Sequence, residues 1–236
     1  MGTLYMVRHG QASFGEENYD RLSPIGQEQS RILAAHFLET GMKPDALYSG
    51  DMQRHKDTAQ AMIDLYRQRD VLLPPIRIET AFNEYSSREI VQAYLADRAE
   101  ANSSRAVDFK ELTRDRKAFQ RLFEKIVLDW VRGAFAKPGI ATWESFRGRV
   151  AEGLKKIIAQ NGRGRSILLF TSGGPISATL QLCLGLSDEN TLRTAWQIAN
   201  GSVTRFLYNG ERLTLAGFNA IDHLALRKEP ALVTYR

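Results

Sequence analysis

Cysteine is almost missing from this chain: Cys183 is the only one among 236 residues. No intramolecular disulfide can form, and a reducing, cytoplasmic setting is the default expectation. Long apolar runs are missing too, and no signal-like apolar segment precedes the first strand, so neither a membrane span nor an export signal is expected. Lys and Arg outnumber Asp and Glu by 32 to 27, for a net charge of +5, but the basic residues are scattered and mostly neighboured by acids. Without an arginine-rich block or an aromatic-interleaved basic patch, that excess points away from nucleic acid and towards small anionic ligands. There is no internal repeat, no low-complexity segment and no Cys/His/Asp set with metal-ligand spacing.

What remains, 43% apolar and 25% charged residues, suits one large globular domain, or a domain with a substantial insertion, around a sizeable core. The opening signal is Thr3-Leu4-Tyr5-Met6-Val7, a β-prone run too short for a helix. Arg8-His9-Gly10 follows at once. A first strand therefore delivers a basic pair and a turn-permitting glycine to its own carboxyl end, where open α/β sheets bind ligands. The polar stretch 11–21 reads as a loop at the mouth of that site, with Gln11, Ser13 and Tyr19 as candidates for substrate contact. Ser23-Pro24 supplies an N-cap and a first helical position, Ile25, Ile32, Leu33 and Phe37 an apolar stripe, and Gly41 a helix end.

A second strand, Ala46-Leu47-Tyr48-Ser49, runs into Gly50-Asp51-Met52-Gln53-Arg54-His55 and a second helix. An arginine in the first turns opposes the partial positive charge of the helix end, so Arg54 is expected to face an anion. His55, about 100° further round the helix, is expected to point away from it. Ile76-Arg77-Ile78-Glu79 alternates as a third strand and leads to Glu84, beside Phe82 and Tyr85; an apolar setting can raise a carboxyl pKa and suit it to general-acid work. From about 86 to 139 the pattern is helical, with breaks at Asn102-Ser103-Ser104 and Lys137-Pro138-Gly139. It is too long for a simple βα connection and reads as a helical insertion over the site. After another amphipathic helix, the buried strand Ser166-Ile167-Leu168-Leu169-Phe170 meets Thr171-Ser172-Gly173-Gly174-Pro175. That order predicts strand, tight turn and helix N-terminus, with amides available to an anion and Thr171 or Ser172 as cap. Helices over 176–183 and 188–197 and a terminal β-hairpin around Asn209-Gly210 complete the reading.

Together, Arg8-His9-Gly10, the Ser49-to-Ala59 stretch with Arg54, Glu84 after the third strand and Gly173-Gly174 after a buried strand resemble the histidine phosphatase superfamily, also called the phosphoglycerate mutase-like family. Leu22-Ser23-Pro24-Ile25-Gly26-Gln27-Glu28-Gln29 is similar to that family's helix opening, and Asn219 with His223-Leu224 to its C-terminal ending. The resemblance implies a three-layer α/β/α sandwich with a mostly parallel central sheet, one domain over 1–236 with the insertion at about 86–139. It implies that His9 is the nucleophile and forms a phosphohistidine, that Glu84 protonates the leaving oxygen, and that Arg8 and Arg54 clamp the phosphoryl oxygens; the strand-to-helix turn adds Ser172 and Gly173 as expected phosphate contacts. No metal or other cofactor is implied, because phosphoryl transfer needs positioning and charge stabilisation, which guanidinium groups supply.

One position departs from the family pattern: its second histidine stands just before the paired glycines, and here that residue is Ser172. A hydroxyl can hydrogen-bond a phosphate but carries no charge, and losing one such group costs on the order of 10²–10³ in rate. The vacancy can be met by Ser172 with the Gly173 and Gly174 amides, or by His223 or another basic residue. The expected function is a metal-independent phosphomonoesterase acting on a small phosphorylated metabolite. The alternative is a module that binds phosphoryl ligands without turning them over. A mutase is less favoured, since Glu84 is followed by Tyr85-Ser86-Ser87-Arg88 rather than the mutases' arginine and tyrosine-glycine pair. No nucleic-acid or membrane partner is expected, and the oligomeric state stays open, a dimer included.

Overall fold

The computed structural model describes residues 1–13, 19–101, 116–135, 139–210 and 212–235. They form two compact units, Met1–Glu84 with Val150–Arg236, and Tyr85–Arg149. The strands are β1 (Gly2–Arg8), β2 (Ala46–Ser49), β3 (Ile76–Ile78), β4 (Ser166–Thr171), β5 (Val203–Tyr208) and β6 (Leu213–Ala220). The helices are α1 (Pro24–Glu39), α2 (Gln53–Gln68), α3 (Ser87–Ala101), α4 (Arg116–Val131), α5 (Trp143–Asn161), α6 (Gly173–Leu184), α7 (Asp188–Ala195) and α8 (Asp222–Ala225).

The strands form one sheet in the order β3-β2-β4-β1-β5-β6. The first four are parallel, and β5 runs antiparallel to β1 and pairs with β6 as the expected hairpin. β4 lies between β2 and β1, which accounts for its unbroken apolar run: Ile167, Leu168, Leu169 and Phe170 are all fully buried. Alternation sorts the side chains to two faces. Val7, Leu47, Leu168 and Phe170 pack with Leu33, Phe37, Ala59, Met62 and Tyr66 of α1 and α2. Tyr48, the neighbour of Leu47, projects to the other face, where its hydroxyl lies 3.2 Å from Gln160 Oε1 and 2.9 Å from Asn161 Nδ2 of α5. The molecule is thus mixed α/β with a mostly parallel six-stranded sheet and helices on both faces.

Register decides where the strand ends fall. Arg8 pairs with Thr171 and Ser49 with Phe170, so β1, β4 and β2 finish side by side. The next amides extend the ladder, His9 N–H donating to Thr171 O at 2.9 Å and Gly50 N–H to Phe170 O at 3.0 Å. His9, Gly50 and Ser172 consequently leave the sheet at one edge.

Helix boundaries follow local chemistry. Ser23 caps α1 by accepting from Gly26 N–H at 3.1 Å, with Pro24 in the first turn, and Gly41 takes φ 70° just after the helix. α6 starts at Gly173, earlier than a helix led by Pro175, because a proline fits any position of a first turn whose N–H groups are unpaired in any case. The expected cap is not formed. Thr171 Oγ1 donates to Phe82 O at 2.7 Å, and Ser172, although it occupies the N-cap position, makes no capping bond. α7 ends at Ala195, two residues short of the reading to Gln197.

The unit Tyr85–Arg149 holds α3, α4 and the first turns of α5. Its aromatic residues pack on one another: Tyr85 on Trp130 at 4.9 Å between ring centres, and Trp143 on Trp130 at 5.7 Å and on Phe146 at 5.4 Å. The Trp130 indole donates to Ala141 O at 2.9 Å. The expected breaks at Asn102-Ser103-Ser104 and Lys137-Pro138 lie outside the described residues.

Candidate active site

Arg54 is the hub of the residues gathered at the sheet edge. It is 3% exposed, sits in the first turn of α2 and faces three partners. Its Nη1 donates to Asp20 Oδ1 at 2.6 Å, its Nε to His9 Nε2 at 3.1 Å and its Nη2 to Ser172 Oγ at 3.4 Å. The anion required by an arginine at a helix N-terminus is therefore supplied in part by the protein itself. Asp20 also accepts from Gln53 N–H at 2.8 Å through Oδ2, so one carboxylate serves both the guanidinium and the free amides of α2. Sequence reasoning missed Asp20: the unfavourable placement of Arg54 signalled an anion nearby but not that a carboxylate of the chain supplies it.

His9 is 5% exposed and fixed from both sides. Its Nδ1 lies 2.6 Å from Gly10 O; a carbonyl only accepts, so Nδ1 carries the proton and Nε2 presents a lone pair. Burial, with Arg54, His55 and Arg8 around it, holds its pKa well below the usual histidine value, so the ring is neutral at pH 7. A neutral imidazole lone pair can act chemically as a nucleophile, and here it accepts from the Arg54 Nε–H. The backbone holding it is well pinned. Gly10 N–H donates to Thr58 Oγ1 at 3.1 Å, and Asn200 Nδ2 donates to His9 O at 3.2 Å.

Arg8 donates through Nη1 to Ile198 O and packs over Gly173, its Nε 3.8 Å from where a Cβ on that glycine would stand. Glu84 Oε2 accepts from Gly174 N–H at 3.0 Å, so one amide of the glycine pair serves the protein's own carboxyl group. The segment leading to Glu84 is tied down by Thr171 on Phe82 O and by Asn83 Oδ1, which accepts from Asp51 N–H at 2.6 Å. Of the proposed substrate contacts, Gln11 accepts from Ser23 Oγ at 2.8 Å, Ser13 N–H donates to Arg21 O at 2.8 Å, and half-exposed Tyr19 lies under the Arg54 guanidinium at 5.6 Å. Among the described residues no group of three His, Cys, Asp or Glu could hold a metal ion.

His55 corrects the sequence reading. It is fully buried and points into the cluster: its Nε2 is 2.6 Å from Ser172 Oγ, and its ring centre is 5.6 Å from that of His9. A helix that meets the sheet edge end-on can send both of its first-turn side chains into the site, so the 100° between them does not separate inside from outside. His223 is placed elsewhere, stacked on His36 of α1 at 5.4 Å.

By fold and by site this is an α/β protein with a basic, imidazole-bearing cluster at the carboxyl ends of parallel strands, a class suited to anionic ligands. The family model described as histidine phosphatase superfamily (branch 1) matches residues 4–112 and 107–221, and the chain belongs to that superfamily. Among solved structures, phosphoserine phosphatase from Entamoeba histolytica in complex with 3-phosphoglyceric acid is 18% identical with a TM-score of 0.63, over 95% of this chain and 100% of that one. Phosphoglycerate mutase from Bacillus anthracis is 20% identical with a TM-score of 0.63, over 96% of each chain. A mycobacterial glucosyl-3-phosphoglycerate phosphatase is 20% identical with a TM-score of 0.60, over 92% of this chain and 98% of that one. No curated protein matches the sequence. Among the described residues no helix is long and apolar enough to cross a membrane.

Proposed function

We propose that the protein is a phosphomonoester phosphatase that hydrolyses small phosphorylated metabolites through a phosphohistidine on His9. The observation that carries this reading is the His9 ring, neutral and with its Nε2 lone pair held at 3.1 Å from a buried arginine. When a phosphoryl group arrives, Arg54 exchanges its bond to His9 for bonds to phosphoryl oxygens, and Arg8 takes others, which neutralises the developing charge. His9 Nε2 bonds to phosphorus as the bond to the leaving oxygen breaks, and the Glu84 carboxyl donates its proton to that oxygen. In the second step Glu84 removes a proton from water, the oxygen of which displaces His9 and releases phosphate. The Gly174 amide fixes one Glu84 oxygen in both steps. The phosphatases among the solved structures support this reading, as does membership of the superfamily.

A second reading, binding without turnover, is favoured by one observation, the serine in place of the family's second histidine. One experiment separates the two. The protein is incubated with a radiolabelled aryl phosphate, quenched in alkali to preserve N-linked phosphate, and mapped. The phosphatase reading expects label on His9 and steady release of phosphate, both abolished in His9→Ala. A purified wild type that releases phosphate no faster than His9→Ala and carries no label leaves the binding module as the answer.

A further inference from the structure

We propose that His55 is the second imidazole of this site, a positioning residue that acts through Ser172 and occupies from α2 the place that the residue before the glycine pair leaves open. The proposal rests on the phosphatase reading and adds a group to its machinery.

Hydrogen-bond accounting makes the case. A serine hydroxyl has two acceptor lone pairs and one donor hydrogen. Arg54 Nη2 can only donate, and it points at Ser172 Oγ from 3.4 Å. His55 Nε2 is 2.6 Å from the same oxygen. The direction of that second bond follows from the other ring nitrogen. His55 Nδ1 is buried and has no hydrogen-bond partner, and it lies so close to Gly50 that a Cβ on that glycine would stand 2.3 Å from it. A lone pair can lie against the Cα–H of a glycine, whereas a buried N–H with no acceptor is the rarer and costlier orphan. The proton therefore sits on Nε2, and His55 donates to Ser172.

Both Ser172 lone pairs are then filled, and its own hydrogen is free to donate. No capping bond uses the hydroxyl, although the residue stands at the N-cap of α6. The hydroxyl is fully buried between the Arg54 guanidinium and the His55 imidazole, which both lie against His9. That leaves the hydrogen to donate to a phosphoryl oxygen when Arg54 holds one, and the two donors behind Ser172 polarise it for charge that grows in the transition state. Gly50 and His55 form one device, since any larger residue at position 50 would push the ring aside. Burial and the Arg54 and Lys56 charges hold the His55 pKa well below its usual value, so the group works as a neutral donor.

The test is steady-state hydrolysis of an aryl phosphate, with His9 labelling, on the full chain and five variants. His55→Ala and Ser172→Ala should each lower kcat by roughly 10²-fold with little change in KM, and the double alanine variant should be no worse than either, because the two residues act as a unit. Ser172→His alone should not raise turnover, because His55 already fills the space. Ser172→His combined with His55→Ala should regain at least about tenfold over His55→Ala, by returning an imidazole to the same place. A purely structural His55 would show no such recovery. A folded His55→Ala within threefold of wild type overturns the proposal, as does the absence of recovery in the transposed variant. If His55→Ala does not fold, an active Ser172→Ala overturns it equally. If the wild type neither turns over nor labels His9, the phosphatase reading falls and inorganic phosphate affinity judges this proposal: a tenfold loss in His55→Ala supports it, and an unchanged affinity overturns it.

Discussion

Arg54 concentrates the chemistry of the site in one side chain, because a planar guanidinium can address Asp20, His9 and Ser172 from one position. Lysine presents a compact charge on a flexible stem and cannot hold three directions at once. Arg54→Lys should keep the charge and the fold but lower kcat for an aryl phosphate by about 10²-fold, with unfolding within about 1 kcal/mol of wild type by urea titration. Near wild-type kcat in that variant would show that charge alone is used, and that the geometry around Arg54 is incidental. The part of Asp20 is different. Its side chain is 38% exposed, so its pairing with Arg54 contributes orientation more than stability.

At the scale of elements, the β1–α1 connection shows how glycine lets two backbones touch. A Cβ on Gly10 would stand 2.3 Å from Gly26 O, and one on Gly26 would stand 2.1 Å from Gln11 O. These contacts are to backbone, which cannot swing aside. Gly10→Ala should therefore destabilise the protein by about 1–3 kcal/mol, seen as a lower urea midpoint, and should disturb His9 as well. Unchanged stability would mean that the loop has room to move. Local signals were legible in the sequence, and contacts between distant segments were not. β1 and β4 could be read because an apolar run that ends at a basic pair or a glycine pair carries its own boundary, and α1 because Ser23 and Pro24 are local signals. His55 could not be read, since its direction depends on how α2 meets the sheet edge, which no helical period encodes. Asp20 was equally hidden, 34 residues from Arg54 in the chain, as was the diversion of Thr171 to Phe82 O instead of a cap.

On the scale of the whole molecule, neutral buried histidines tie the fold to pH. His223 is 5% exposed, stacked on His36, and lowered from 6.5 to about 4 by burial and by the His36 charge, against the weaker opposing effects of Gly201 O and Asp222. The unfolded chain protonates His223 as pH falls through about 6.5, whereas the folded chain does so only near 4. Between these values the unfolded state binds more protons, so stability that is complete above pH 6.5 is lost as pH falls towards 4. His9 and His55 are shifted in the same direction and add to the same acid sensitivity. From about pH 7.5 to about pH 4.5 the His223 share of that loss is roughly 2–3 kcal/mol. His223→Phe keeps an aromatic ring against His36 and removes the titration, so the two proteins can be compared by urea unfolding at both pH values. The wild type should lose roughly 2–3 kcal/mol more than the variant on acidification, while carboxylate effects cancel between them. Equal losses would mean that His223 takes up its proton while the protein remains folded, and that the His36–His223 stack opens to solvent before the sheet and its site give way.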